Sequence, residues 1–328
     1  MQTEIRKKLL ELFSHSESEY ISGQKISEKL GCSRTAVWKH IEDLRSEGYE
    51  VNAVRKLGYQ IISKPDKISA NEIQLGLQTK SLGSKIYFED TLPSTQKLAH
   101  RYAYENAPEG TIVVTEEQTE GRGRLDRKWH SPKYTGIWMS LILRPNIPPM
   151  NAPQLTLLAA VGVVRAIQEV TGIEPDIKWP NDILVSGKKV VGILTELQAE
   201  SDRINSVIIG IGVNVNQSID QFPDSLKEIA TSLAIINGEK IDRALLLQQM
   251  LFHIEKLYYT YLDNGFNVIK LLWESYAVTI GQQIVARTLQ GSIKGRALGI
   301  TDEGVLRLQS DDGEVHLIYS ADIELLPN

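Results

Sequence analysis

The spacing of apolar residues over the first fifty positions predicts three short amphipathic helices. Apolar residues recur at helical spacing over 4–14, which indicates a first helix with one buried face. The next two helices each follow a serine N-cap, at Ser22 and Ser33, and each ends at a glycine, at Gly31 and Gly48. Helices in this order, with a tight turn between the last two, are typical of a helix-turn-helix unit.

A basic hairpin follows the third predicted helix. Strands are predicted near 50–53 and 59–62, and the tip between them carries Arg55 and Lys56, as in the wing of a winged helix. In such a unit the second helix of the turn enters the major groove by its N-terminal end, while the wing holds phosphate. The candidate DNA-binding residues are therefore Arg34, Thr35, Trp38, Lys39, Arg55 and Lys56. Arg34 is the best candidate for reading a base, since arginine pairs bidentately with guanine.

Other interpretations of this unit stay open. Trp38 lies beside the buried stripe of its helix, which favours a partly core position, and Lys39 could simply be solvated. The whole unit could instead be a small protein-docking domain. Residues 1–65 carry eleven basic against nine acidic side chains, whereas the whole chain has a net charge of −5. This asymmetry permits nucleic-acid binding without demonstrating it.

The composition excludes several other classes of protein. A chain of 328 residues, 42% hydrophobic and 23% charged, is ordinary for a globular protein of two or three domains. Its single cysteine, Cys32, excludes an internal disulfide framework, and its six histidines show no metal-ligand spacing. No apolar run approaches the length of a membrane span and no signal peptide follows Met1. We therefore expect a cytoplasmic protein with no membrane partner.

After a predicted linker at 64–70, alternating strands and helices predict a central mixed β-sheet domain over 71–278. Its strands are predicted near 85–89, 111–117, 138–143, 176–178, 183–185, 190–197 and 207–211. Its helices are predicted near 69–77, 94–106, 153–171, 244–262 and 268–276, the third being the main core helix. Short strands separated by Gly and Asp turns then predict a small β-barrel over 279–328, packed on the central domain. The predicted class is α+β, with the winged helix as a separate domain over 1–63.

Residues 121–132, which we call the clamp loop, are the most informative stretch. Two glycines alternate with Arg122 and Arg124, and Pro132 ends the stretch, so neither a helix nor a strand interior is expected. Guanidinium groups on a flexible backbone suit phosphate or carboxylate. Neither common phosphate motif matches, because the P-loop ending is absent and Asp126 replaces the third glycine of the dinucleotide fingerprint. A solvated basic loop is the alternative, but Trp129 suits a nucleotide base.

Two further stretches could place side chains beside the clamp loop. Lys178 ends a predicted strand just before a Pro-Asn-Asp turn, and a lysine there makes sense if it faces the same anion. Asp182 could orient Lys178 or help to hold Mg²⁺, or it could equally cap the turn. The glycines of 210–214 could admit a ligand or another strand, or belong to a plain core strand. Ser94 and Thr95 could cap a helix or offer hydroxyls to a ligand.

Three separated motifs, GRGRLDRKWHSP, KWPND and GIGVN, lie in this order behind the predicted winged helix. Together they closely resemble bifunctional biotin–protein ligases that also repress the biotin operon, and the resemblance covers the whole chain. It implies a central domain of the class II synthetase and biotin ligase type and an SH3-like C-terminal barrel. It also implies that biotin and ATP give biotinyl-5′-AMP and pyrophosphate, and that biotin passes to a lysine of the carrier protein of acetyl-CoA carboxylase.

The resemblance further implies roles for particular residues, carried over by motif position. The implied biotin-binding residues are Ser94, Thr95, Gln96, Gln118, Arg122, Gly123, Arg124 and Lys178. Lys178, Arg122 and Arg124 are the implied catalytic cations, Trp129 stacks on adenine, and Asn214 contacts the adenylate. No protein metal site is implied, since Mg²⁺ arrives with ATP. One departure is Ile229, where relatives can carry an arginine, so an outer phosphate contact could be missing or come from elsewhere.

The charges fit such a reaction without the family name. A carboxylate that meets a polyphosphate is repelled, and cations at the reacting centre would offset this repulsion. A clamp loop that becomes ordered over the adenylate would exclude water from it. The ordered loop would also favour self-association through a surface of the central domain, and the homodimer would carry two winged helices to operator DNA. The carrier domain would compete for the same surface. A lipoate-type ligase and a metabolite-sensing repressor without catalysis are the rival hypotheses.

Overall fold

The computed structural model describes residues 2–14, 19–46, 48–63, 65–200 and 203–326. Lys64, the first residue of the predicted linker, lies outside this part of the chain. The chain divides into two compact units, Met1–Gly76 and Leu77–Asn328. Each unit has its own hydrophobic core, and each is described separately below.

The first three helices of the first unit have the order that the sequence predicts, whereas Ala70–Leu75, predicted as a helix of the central domain, also falls within this unit. Its helices are α1 (Gln2–Ser14), α2 (Gly23–Leu30), α3 (Arg34–Ser46) and α4 (Ala70–Leu75), and its strands are β1 (Glu50–Val54) and β2 (Gly58–Ser63). Ser22 caps α2 by accepting a hydrogen bond from the backbone of Lys25, and Gly31 ends the helix in the left-handed conformation. The antiparallel β1–β2 hairpin confirms the predicted wing.

A compact apolar core holds these helices against the hairpin. It consists of buried side chains from α1, α2, α3 and β1, namely Leu9, Leu10, Ile26, Val37, Ile41, Leu44 and Val51. Gly58 has a φ of +116°, and a Cβ there would lie 2.0 Å from the carbonyl oxygen of Ile21. Only glycine therefore allows the hairpin to close on the bridge between Ile21 and Tyr59.

The second unit is built on a seven-stranded mixed sheet in the order β3-β4-β5-β9-β8-β7-β6. Its strands are β3 (Ile86–Leu92), β4 (Ile112–Gln118), β5 (Gly136–Leu143), β6 (Asp176–Lys178), β7 (Asp182–Val185), β8 (Lys188–Glu200) and β9 (Arg203–Asn214). Its helices are α5 (Thr95–Tyr104), α6 (Ala152–Thr171), α7 (Leu233–Asn237), α8 (Arg243–Asn264) and α9 (Asn267–Tyr276). β3 and β4 are parallel, and the remaining neighbours are antiparallel.

Helix α6 is the main core helix, as the sequence predicts. It packs on α8 and α9 and on strands β6 to β9. The segment Pro149–Thr171 is nevertheless long and apolar enough to meet the compositional criterion for a membrane span, which the sequence reading did not anticipate. Because 72% of its most apolar window is buried inside the unit, its composition reflects packing within the protein.

The C-terminal part of this unit is a five-stranded antiparallel sheet in the order β13-β12-β11-β10-β14. Its strands are β10 (Gln283–Thr288), β11 (Gly291–Ile300), β12 (Leu306–Ser310), β13 (Val315–Ile318) and β14 (Asp322–Leu325). The sheet packs on the central elements, as expected for so small a unit. Trp179 donates from its indole to the carbonyl of Gly304 at 3.3 Å, and Gln154 donates to that of Asp302 at 2.7 Å.

Candidate functional site

One cavity of about 500 Å³ gathers the predicted ligand-binding residues of the second unit. Its walls come from the start of α5, the clamp loop, the β6–β7 turn and strands β5, β8 and β9. Among its lining residues are Ser94, Thr95, Gln96, Gln118, Arg122, Gly123, Arg124, Trp129, Lys178, Asp182 and Asn214. The fold therefore brings every one of these residues to a single place, although they span more than a hundred positions of sequence.

One group of cavity-lining side chains is polar and uncharged. Thr95 donates from its backbone and from its hydroxyl to Gln118 Oε1, at 2.9 and 3.1 Å. Ser140, which sequence reasoning missed, contacts Thr95 Oγ1 and Gln96 Oε1, both at 2.9 Å. Ser94 precedes α5 as an N-cap residue, yet its hydroxyl makes no capping bond and is buried without a partner among the described residues. A buried hydroxyl in this state suits a polar ligand.

The cavity wall also carries cationic side chains. Lys178, the last residue of β6, lines the cavity, and its ammonium makes no hydrogen bond or ion pair with any residue that the structure describes. Arg122 has one ion pair within the same part of the chain, a 4.0 Å contact to the exposed carboxylate of Asp126. Both cations therefore keep most of their bonding capacity for a ligand, as expected for groups that face an anion.

Arg124 and Arg127 tie the clamp loop to the C-terminal sheet. Arg124 donates to Asn181 Oδ1 at 3.2 Å and to Ser320 Oγ at 2.7 Å. Burial lowers the pKa of the Arg124 guanidinium, which nevertheless stays protonated in a protein. Arg127 makes a bidentate contact with Asp322, which raises the pKa of Arg127. Sequence reasoning missed both C-terminal partners, because nothing local in residues 320–322 signals a contact with the loop.

The indole of Trp129 lies against two adjacent glycines of the sheet. Gly192 on β8 pairs with Gly212 on β9, and a Cβ at Gly212 would lie 2.4 Å from Trp129 Nε1. Trp138 packs edge-on to the same ring, with 6.5 Å between centroids. For Gly212 the sequence left a ligand, another strand or a plain core strand open, and the group that lies against it is a side chain of the clamp loop.

Asp182 pairs with a lysine that sequence reasoning did not single out. Its Oδ1 lies 2.6 Å from the Nζ of Lys189, so the two groups form an ion pair. The geometry of this contact is not that of a hydrogen bond. The same Nζ lies 5.3 Å from the centroid of the Trp129 ring. Asp182 therefore orients Lys189, and Lys178 is not its partner. Among the described residues no group of three or more His, Cys, Asp or Glu side chains could hold a metal ion.

Asn214 is buried at the edge of the cavity by the segment that follows β9. It donates to the carbonyl of Thr231 at 3.1 Å and accepts from Gln217 at 3.1 Å, so its orientation is fixed. Ile229 lines the mouth of the cavity and is 60% exposed. No cation stands at that position, in keeping with the departure seen in the sequence.

In the first unit, a groove between α3 and the wing gathers most of the predicted DNA-binding residues. Arg34, Thr35, Trp38, Arg55 and Lys56 line this groove. Lys39 is exposed and is not among the lining residues. Trp38 is 55% exposed, so the structure favours a groove-lining position over the core position that its spacing suggested.

Comparisons with known proteins match both units of the chain. Family profiles match an HTH domain over residues 5–60, the Biotin/lipoate A/B protein ligase family over 88–214 and the Biotin protein ligase C terminal domain over 279–326. The bifunctional ligase/repressor BirA of Bacillus spizizenii is 62% identical over 325 residues, which are 99% of this chain and 100% of the relative. BirA of Escherichia coli is 26% identical over 93% of this chain and 92% of the relative.

A solved structure of a biotin protein ligase is also similar to this chain. The biotin protein ligase from Aquifex aeolicus in complex with biotin and ATP is 31% identical, with a TM-score of 0.64, over 75% of this chain and 100% of that one. The cavity, the groove and these full-length similarities lead to one conclusion: the chain belongs to the biotin protein ligase family, among the members with an N-terminal helix-turn-helix domain.

Proposed function

We propose that the protein joins biotin to ATP, transfers the biotin to a lysine of a biotin carrier protein, and represses genes of biotin supply. The observation that carries the ligase activity is one cavity that combines uncharged polar side chains, such as the buried Ser94, with cations such as Lys178. Such a cavity suits a neutral ring system whose carboxylate points toward a nucleotide phosphate. The relatives named above as ligase/repressors support both activities.

The cationic side chains account for the first half-reaction. The carboxylate of biotin attacks the α-phosphorus of ATP, and pyrophosphate leaves, so no side chain of the enzyme has to act as a nucleophile. Lys178, Arg122 and Arg124 offset the repulsion between the two anions and stabilise the charge that develops at the α-phosphate. Mg²⁺ that accompanies ATP supplies further positive charge. Trp129 offers an aromatic face to the adenine ring, and Asn214 holds the nucleoside.

The uncharged polar side chains select the acid. The hydroxyls of Ser94 and Thr95, with the amides of Gln96 and Gln118, offer donors and acceptors to the polar head of biotin. A site built around hydrogen bonds rejects an analogue that lacks them, because its buried polar groups are then left unpaired. The dithiolane of lipoate has no such groups. These contacts favour biotin over the lipoate-type alternative.

A carrier-protein assay tests the ligase activity. The full chain is incubated with ATP, Mg²⁺, a biotin carrier domain and either biotin or lipoate, and the intact mass of the carrier is measured. We expect one biotinyl addition that disappears when the acceptor lysine is replaced by Arg. Addition of lipoate would support the rival ligase, and no addition with either acid would leave only the repressor.

The groove of the first unit supports the regulatory activity. Arg34 on α3 and the basic wing offer a base contact and phosphate contacts, respectively. The adenylate acts as co-repressor by ordering the clamp loop, which favours a homodimer that carries two winged helices to a palindromic operator. The cytoplasm, where ATP, carrier protein and DNA meet, is the proposed location. Sedimentation with and without biotin plus ATP tests the dimer, and an unchanged mass together with unchanged operator affinity rejects it.

A further inference from the structure

Lys189 is a cavity-lining cation to which neither the sequence motifs nor the proposed mechanism gives a role. It is the second residue of β8, and its side chain is about one-third exposed, inside the cavity that holds Lys178. The lip of the cavity beside it is formed by Leu226, Glu228, Ile229 and Ala230, none of which is cationic. Lys189 lies next to this lip and lines the cavity, whereas the ammonium of Lys188 bonds to the carbonyl of Lys227.

The backbone fixes the position of Lys189 relative to that lip. Its N–H donates to the carbonyl of Ile229 at 2.9 Å, and its carbonyl accepts from Thr231 at 3.0 Å. These two bonds form an isolated parallel bridge between Lys189 and Ala230. Two backbone hydrogen bonds consequently hold Lys189 directly beside residues 229–231 of the lip.

An ion pair orients the side chain of Lys189. Asp182 lies 2.6 Å from its Nζ, and both groups are mostly buried, at 31% and 24% exposure. An ammonium has three donors, and an ion pair without hydrogen-bond alignment leaves them available to a ligand. The Nζ also lies 5.3 Å from the Trp129 ring on which adenine is proposed to stack. A phosphate chain attached to that nucleoside comes within reach of the lysine.

We propose that Lys189 binds the β- and γ-phosphates of ATP, with Asp182 as the residue that positions it. This inference rests on the proposed adenylation reaction. ATP carries more negative charge than the α-phosphate cations neutralise, and Lys189 is a further cation of the cavity wall, joined to the lip segment by its backbone. Because pyrophosphate leaves after the first half-reaction, this contact is made to ATP and is absent from the bound adenylate.

Lys188 provides a matched control on the same strand. Its Nζ donates to the carbonyl of Lys227 at 3.0 Å, and it is not among the lining residues of the cavity. Lys188→Met removes the same charge and the same kind of side chain at the neighbouring position. The comparison with Lys189→Met therefore isolates the effect of position within the cavity.

Biotin-dependent ATP–pyrophosphate exchange by the full chain tests the proposal. Lys189→Met should raise the KM for ATP about tenfold, as expected for a lost charge-assisted hydrogen bond at a partly exposed site. The KM for biotin and the retention of preformed biotinyl-AMP should change less than about twofold, since neither involves the outer phosphates. Lys189→Arg should restore much of the ATP affinity, and Lys188→Met should behave as the unmodified protein.

Two results would overturn the proposal. Equal KM values for ATP in Lys189→Met and Lys188→Met would show that the lysine does not bind the nucleotide. A rise in adenylate release as large as the rise in the KM for ATP would place the contact on the α-phosphate or the nucleoside. An unmodified protein with no biotin-dependent exchange would overturn the adenylation reaction itself, and this inference with it.

Discussion

Gly212→Ala is expected to disable nucleotide binding through Trp129, without unfolding the sheet. The new Cβ would lie 2.4 Å from Nε1 and 2.6 Å from Cε2 of the indole. Ordinary contacts between such atoms are about 3.5 Å or more, so the ring must move by about 1 Å. The backbone of Gly212 needs no left-handed conformation, and its pairing with Trp138 and Gly192 does not depend on the missing side chain. Alanine therefore fits the strand, and the ring absorbs the displacement.

A displacement of about 1 Å in a substrate-positioning group can cost on the order of 10²-fold in rate. We expect kcat/KM for ATP to fall by roughly ten- to a hundredfold in pyrophosphate exchange, with a much smaller change in the KM for biotin. Gly192→Ala, whose Cβ would lie 2.7 Å from Cζ3 of the same ring, should give a similar but weaker loss. Thermal unfolding of each variant checks that the fold is retained.

A double-mutant cycle shows whether the loss passes through the indole. In a Trp129→Ala background there is no ring for the new methyl group to displace, so Gly212→Ala should have almost no further effect. Additive losses in the two variants would mean that the methyl group acts elsewhere. Unchanged kinetics in Gly212→Ala alone would refute the reasoning, because the indole position would then be irrelevant to ATP.

Further predictions concern three other residues. Lys178→Ala should lower pyrophosphate exchange by on the order of 10²–10³-fold, and near-normal exchange would remove Lys178 from the mechanism. Arg34→Ala should weaken operator binding by about 1–3 kcal/mol in a gel-shift titration and leave ligase activity intact, so a joint loss would contradict the separation of the two activities. Glu255, on α8, accepts hydrogen bonds from the backbone N–H groups of residues 80–82. Burial alone would raise the pKa of Glu255, but these hydrogen bonds outweigh it, and the pKa is lowered. A depressed pKa stabilises the fold above the unfolded-state value of about 4.3, and this stabilisation is lost as pH falls through the lower folded-state pKa. Glu255→Gln should therefore lower Tm at pH 7 and flatten its fall below about pH 4, and an unchanged Tm–pH profile would argue against this role.

The sequence predicted the structural features that depend on residues close together in the chain. The caps at Ser22 and Gly31 and the helical spacing of the first unit determine where its helices begin and end, and the structure has them there. The clamp loop and the Lys178 turn were recognisable because Gly, Pro and cations rarely combine without a ligand. Their meeting in one cavity follows from the order of strands in the sheet, which the alternating pattern predicts only coarsely.

The features that were missed depend on contacts between distant parts of the chain. Ser140 belongs to a continuous apolar strand, where a single serine gives no sign that it completes a polar network with Thr95. Asp322 meets Arg127 across 195 positions. Lys189 resembles an ordinary lysine at the start of a strand, and only the folded sheet places it beside Asp182 and the Trp129 ring.

The central claim is that one cavity holds the carboxylate of biotin against the α-phosphate of ATP by means of fixed cations. The most direct test mixes the full chain with biotin and [α-³²P]ATP, removes free nucleotide by rapid gel filtration, and identifies the label that stays with the protein. We expect protein-bound biotinyl-5′-AMP that forms only with biotin and is nearly absent from Lys178→Ala. Retained label that is unmodified ATP, or adenylate that forms equally well in Lys178→Ala, would contradict the claim.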